Sequence, residues 1–178
     1  PTIDLSNNTQ LQDLTLSISD EFSYRLPDTI NLSNLTIFRS IGAIDFSTQD
    51  RLENLKIIGE NDANNINFGN HPLIKNLHIE SAKLTEIDIS PLPLLEHLNL
   101  FNNQLIGIDT SNNQSLETLS LNSNDISTID LRNNSEITKI DLNNNSLTDI
   151  DTSNLTKLTL LSINRNNICA IYIGNNPL

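Results

Sequence analysis

Apolar residues recur in register every 20 to 22 residues along this chain. Leu95, Leu116, Ile137 and Leu158 open the same phrase at intervals of 21, and Ile74, Leu52, Leu32 and Leu11 carry the series backwards in steps of 21, 22, 20 and 21. A fixed period of this size is the mark of a solenoid, in which each repeat contacts only its neighbours. Such a chain works through surfaces more readily than through deep pockets.

The clearest unit runs from Leu116 to Glu136. With Leu116 as position 1, apolar residues fall at 1, 4, 6, 11, 14 and 16, and Asn124 stands at position 9. The pairs 4 and 6, and 14 and 16, alternate with period two, which predicts short strands buried on one face. No stretch sustains a period of 3.6, so little or no α-helix is expected. One coil reads as two extended segments facing each other across a thin core, joined by turns of Asn, Ser, Asp and Gly. Six apolar side chains cannot offset the ordering of a whole coil at about 1.5 kcal/mol per residue, so the coils must stack to fold.

Two polar rows follow from the same alignment. Asn103, Asn124, Asn145 and Asn166 share position 9, where amide side chains can serve backbone groups that a tight turn leaves unpaired. Asn112, Asn133, Asn154 and Asn175 form a second row at position 18. Asp88, Asp109, Asp130 and Asp151 share position 15 in consecutive coils, with Asp45 further upstream. Stacked carboxylates repel, and two readings offset that: each Asp accepts amide hydrogen bonds within its own turn, or the row holds Ca²⁺ between coils.

The phrase L-x-x-L-x-L-x-x-N-x-L at Leu95 to Leu105, Leu116 to Ile126 and Ile137 to Leu147 resembles the leucine-rich repeat family. The 21-residue length and the I-D-x-S segments at Ile87 to Ser90, Ile108 to Ser111 and Ile150 to Ser153 resemble bacterial surface repeats of the internalin-J-like kind. The match is strong from Leu73 onward and degenerate before it. The resemblance implies a right-handed, curved solenoid of about eight coils, with a parallel β-sheet on the concave face and turns and short extended segments on the convex face. Residues 1–178 then form one leucine-rich repeat domain, with coils starting near 11, 32, 52, 74, 95, 116, 137 and 158. The chain reads as a fragment of a longer protein. The resemblance also implies a protein-binding role, extracellular or at a bacterial cell surface.

The implied recognition surface is the solvent side of the concave strands. Phe38, Ile58 and Phe101 are apolar there, where polar residues are expected, and His78, His97 and Phe101 lie on neighbouring coils, where they could form one patch. With Glu80 and Asn99 these are the candidate binding residues. His78 and His97 have only Glu80 or Glu96 nearby and fall short of the four ligands of a structural zinc site. Cys169 is the sole cysteine, which excludes an intrachain disulfide, and it reads as a partly buried filler.

Composition narrows the function. A net charge of −12 argues against nucleic acid and anionic membrane surfaces, and no apolar run is long enough to insert in a membrane. No phosphate loop, nucleophile elbow, cofactor site or metal motif is present. The chain reads as a non-enzymatic module for a protein or peptide ligand, with weak self-association as a secondary contact. The alternatives are a spacer segment of an adhesin and an ice- or glycan-binding surface.

Overall fold

The computed structural model describes residues 5, 7–17, 31–38, 44–46, 48–59, 66–69, 73–174 and 176. Eight strands form one sheet: β1 (Asp13–Ser17), β2 (Asn34–Phe38), β4 (Asn54–Ile58), β6 (Asn76–Glu80), β7 (His97–Asn99), β8 (Thr118–Ser120), β9 (Lys139–Asp141) and β11 (Leu160–Ser162). All neighbours pair in parallel, in the order of the chain. Two small parallel pairs lie apart from it: β3 (Ile44–Asp45) with β5 (Ile66–Asn67), and β10 (Asp149–Asp151) with β12 (Ala170–Tyr172). There is no helix among the described residues.

Register follows the repeat residue for residue. Leu55, Leu77, Leu98, Leu119, Ile140 and Leu161 are successive Cα partners at position 4. Positions 4 and 6 point inward and are buried through most coils, and the position-1 residues from Leu32 to Leu158 are buried as well. In the less regular early coils, Phe46 and Phe68 fill the opposite wall as a stacked pair, with ring centroids 6.4 Å apart. Position 16 holds a smaller side chain in later coils, where Thr110 and Thr152 are buried with their hydroxyls donating to Asn134 Oδ1 and Tyr172 O.

The turn after each sheet strand is specified at two positions. Position 8 takes a left-handed backbone in five consecutive coils: Ser81, Asn102, Ser123, Asn144 and Arg165 all have φ between 53° and 59°. That bend turns successive N–H and C=O groups toward the interior, where an asparagine at position 9 receives them in the coils from Leu95 onward. Asn124 Nδ2 donates to Leu121 O in its own coil (2.9 Å) and to Leu100 O in the preceding one (2.9 Å), and its Oδ1 accepts from Leu105 N (3.0 Å). Asn103, Asn145 and Asn166 repeat the pattern at the same sequence offsets.

The second asparagine ladder stands one residue beyond the expected row. Asn112 and Asn133 are exposed, while Asn113 and Asn134 at position 19 are completely buried. Asn134 Nδ2 donates to Thr110 O and Asn113 O, and Asn113 Nδ2 donates to Ile89 O and Leu92 O. Asn176 makes the equivalent bonds to Thr152 O and Leu155 O. Position 19 is Leu155 in the coil between them, and there Asn154 at position 18 reaches Arg132 O instead (2.8 Å). Asn175 lies outside the described residues.

Positions 16 and 19 of successive coils match in polarity at Thr110 and Asn134 and at Leu131 and Leu155, but not at Ile89 and Asn113. Thr110 serves Asn134, and Leu131 meets the apolar Leu155 24 residues later; Asn113 Oδ1, 24 residues after Ile89, has no hydrogen-bond partner among the described residues. Cys169 is exposed, with Sγ against Asn167 O, and does not fill the core.

Two predictions follow the ladders. Asn124→Ala strands Leu100 O, Leu121 O and Leu105 N and should cost about 3 kcal/mol or more in urea unfolding, whereas exposed Asn112→Ala should stay within about 0.5 kcal/mol. Leu131→Thr and Leu155→Asn should each destabilise alone. Together they rebuild the Thr110–Asn134 pairing, so the double variant should lose at least about 1 kcal/mol less than the sum of the single losses.

Candidate functional site

The solvent side of the eight-stranded sheet is the site to consider, because strand alternation places positions 3, 5 and 7 there. An open groove of about 530 Å³ lies over five strands, β2, β4, β6, β7 and β8. One wall is the position-3 row, Asn34, Asn54, Asn76, His97 and Thr118; the other is the position-5 row, Thr36, Lys56, His78, Asn99 and Ser120.

The position-3 asparagines form a third, exposed-face ladder. Asn76 Nδ2 donates to Asn54 Oδ1 (2.6 Å), Asn54 Nδ2 to Asn34 Oδ1 (2.6 Å), and Asn34 Nδ2 to the Asp13 carboxylate (2.5 Å). Each Nδ2 spends one of its two hydrogens in this chain of bonds, so the second is available to the groove. At its far end His97 is the Cα partner of Asn76, and His97 Nδ1 lies 2.9 Å from Thr118 Oγ1. His78 Nε2 lies 3.1 Å from Glu80 Oε2 on the same strand.

The seven candidate binding residues divide into two rows. His78, His97 and Asn99 line the groove. Phe38, Ile58 and Glu80 occupy position 7, where they are successive Cα partners and form a strip beside the groove. Phe38 is 38% exposed, while Ile58, Glu80 and Phe101 are half-buried. Phe101 does not line the groove; its N–H donates to Asn99 Oδ1 (3.0 Å) and its carbonyl accepts from Ser81 N. The structure therefore joins the two histidines and sets the aromatic apart from them. Lys56 and the Asn34–Asn54–Asn76 ladder were not singled out by sequence reasoning. Their signal was present: Asn repeats at position 3 only in those three coils.

Structural comparison places this architecture among known folds. Over 97% of its length the chain superposes on about half (51%) of a leucine-rich repeat protein of Leptospira interrogans, LIC12759, with a TM-score of 0.77 and 21% sequence identity. It also matches the functional domain of InlJ from Listeria monocytogenes, which includes a cysteine ladder, with a TM-score of 0.56 and 19% identity over 99% of this chain and 56% of that one. The chain has the leucine-rich repeat fold. No family model and no curated protein matches it by sequence.

In this leucine-rich repeat solenoid the aspartate row is a set of turn caps. Asp88, Asp109, Asp130 and Asp151 each accept the N–H of the residue two positions on, at 2.9 to 3.0 Å, from Ser90, Ser111, Arg132 and Ser153. These side-chain and backbone hydrogen bonds hold all four carboxyls below the usual carboxylate range, against smaller raising effects of desolvation and, for Asp88, Asp109 and Asp151, of a neighbouring aspartate. Asp130 also pairs with the Arg132 guanidinium and falls to about 2. No group of three or more His, Cys, Asp or Glu among the described residues is arranged to hold a metal ion, so the calcium reading gains no support from the row's geometry. Asp45 stands apart and accepts from Asn67 Nδ2 (3.1 Å).

Because the folded carboxyls titrate below their unfolded values of about 3.9, their contribution is present above that pH and is lost as pH falls through the lowered values. Thermal melts should therefore weaken between pH of about 4 and about 2, and a variant carrying Asp109→Asn and Asp151→Asn should show a shallower acid loss.

Proposed function

We propose that this chain is a non-enzymatic binding module that presents the groove of its sheet to a protein or peptide ligand, outside a bacterial cell. The observation that carries this reading is the division of labour between side chains. Those that fix the fold lie inside the coils or in the turn caps, and the groove side chains Thr36, Lys56, His78 and His97 stand on paired strands without entering the core. A rigid array of this kind holds its contacts at fixed spacing, which lowers the ordering cost of binding. Phe38 and Ile58 beside the groove add apolar contact next to polar groups, the combination from which interface hot spots are built.

The bacterial origin of both structural neighbours supports the location, and the InlJ segment is described as a functional domain. Among the described residues no helix is long and apolar enough to cross a membrane. The chain spans about half of each neighbour, so the role of a whole protein would include parts beyond this groove.

The test is to block one face at a time. Thr36→Arg with Ser120→Arg fills the groove, and Ser127→Arg with Thr148→Arg alters exposed turn residues on the other side. The groove variant should bind a ligand captured by the wild-type chain at least about tenfold more weakly, with a Tm change of no more than about 2 °C. The turn variant should bind as the wild type does. Loss in the turn variant alone would reverse the assignment.

A further inference from the structure

The chain carries 22 acidic and 10 basic residues, yet its groove is lined by no carboxylate and by three side chains that are or can become cationic. Lys56 on β4 and His78 on β6 are Cα partners, and His97 on β7 follows diagonally from His78. Lys56 Nζ has no ion-pair or hydrogen-bond partner among the described residues, whereas Arg132 is engaged by Asp130 and Lys157 by Glu136. Each imidazole is committed at one nitrogen, His78 Nε2 to Glu80 and His97 Nδ1 to Thr118, and the other nitrogen has no partner among the described residues. The position-3 ladder adds second amide hydrogens of Asn54 and Asn76 beside them. The Lys56 ammonium and the asparagine amides thus place hydrogen-bond donors along one stretch of groove, and the nearby Glu80 carboxylate accepts from His78 Nε2.

Resting on the groove reading above, we propose that the stretch between Lys56 and His97 receives a single carboxylate of the ligand, an Asp or Glu side chain in an otherwise non-acidic extended segment. Charge complementarity selects the class of partner. The rest of the molecule sets the number of charges. At a net charge of −12 a polyacidic ligand is repelled outside the groove, while one carboxylate seated against Lys56 feels mainly what lies within a screening length of about 8 Å at physiological salt. The free ammonium supplies the fixed charge, and the asparagine hydrogens supply direction.

The probe is a capped seven-residue Ser/Thr peptide with Glu at its centre, compared with a twin carrying Gln. Binding is followed by NMR at the side chains of Lys56, His78 and His97. The Glu peptide should produce saturable shifts at these residues and bind about fivefold more tightly than its twin, as expected for a half-exposed ion pair. Lys56→Gln should abolish that preference, and Lys56→Arg, which keeps the charge, should retain it. Equal affinity for the two peptides, a preference that survives in Lys56→Gln, or the lack of any saturable shift at these residues overturns the carboxylate site. None of those results bears on whether the groove is the binding face, which stands or falls with the face-blocking variants.

Discussion

An asparagine side chain has one acceptor and two donors held in a plane, and this solenoid depends on how that set matches a tight turn. After the last five sheet strands the chain reverses through a left-handed residue and leaves carbonyls and an N–H facing a thin core. A buried polar group without a partner is costly, and the amide at position 9 answers three of them at once. Two of its three bonds cross to the preceding coil, so the device that closes a turn also sets the stacking distance between coils. From Leu95 onward the strand register and the continuous apolar core share that spacing.

The architecture was legible in the sequence because its physical causes repeat. Burial on one face of a strand needs alternation, and a turn with a buried amide needs Asn; both recur every 21 residues and can be read by alignment. Asp88, Asp109, Asp130 and Asp151 were readable for the same reason, since an Asx turn is a local event whose donor lies two residues on. The second ladder was misplaced by one residue because Asn112-Asn113 and Asn133-Asn134 are doublets, and period alone does not say which member points inward. Position 19 continues the buried wall, as Leu92 and Leu155 at the equivalent place in other coils show.

The groove was less legible, for a different reason. Its walls come from residues about 21 apart that share nothing but position, and their hydrogen bonds run across strands. Asn34, Asn54 and Asn76 look unremarkable one by one; only the register turns them into a ladder. Phe101 was grouped with the histidines because it shares a coil with His97 and neighbours that of His78, but position 7 lies beyond the end of β7, where the chain has begun to turn. Side chains that repeat belong to the scaffold, and side chains that fail to repeat carry specificity only where the fold brings them to one face. Lys56, His78 and His97 meet that condition.

The buried amides also give the stack a direction. Asn124, Asn145 and Asn166 each reach back to carbonyls of the coil before them and accept from that coil's N–H, so a coil is finished by its successor and anchored by its predecessor. A chain that emerges N-terminus first, from a ribosome or through an export channel, therefore brings each new coil to a surface already formed and shaped to receive it. Assembly can advance one coil at a time behind the emerging end, and each amide that locks in place opposes the backward slip of the segment that delivered it.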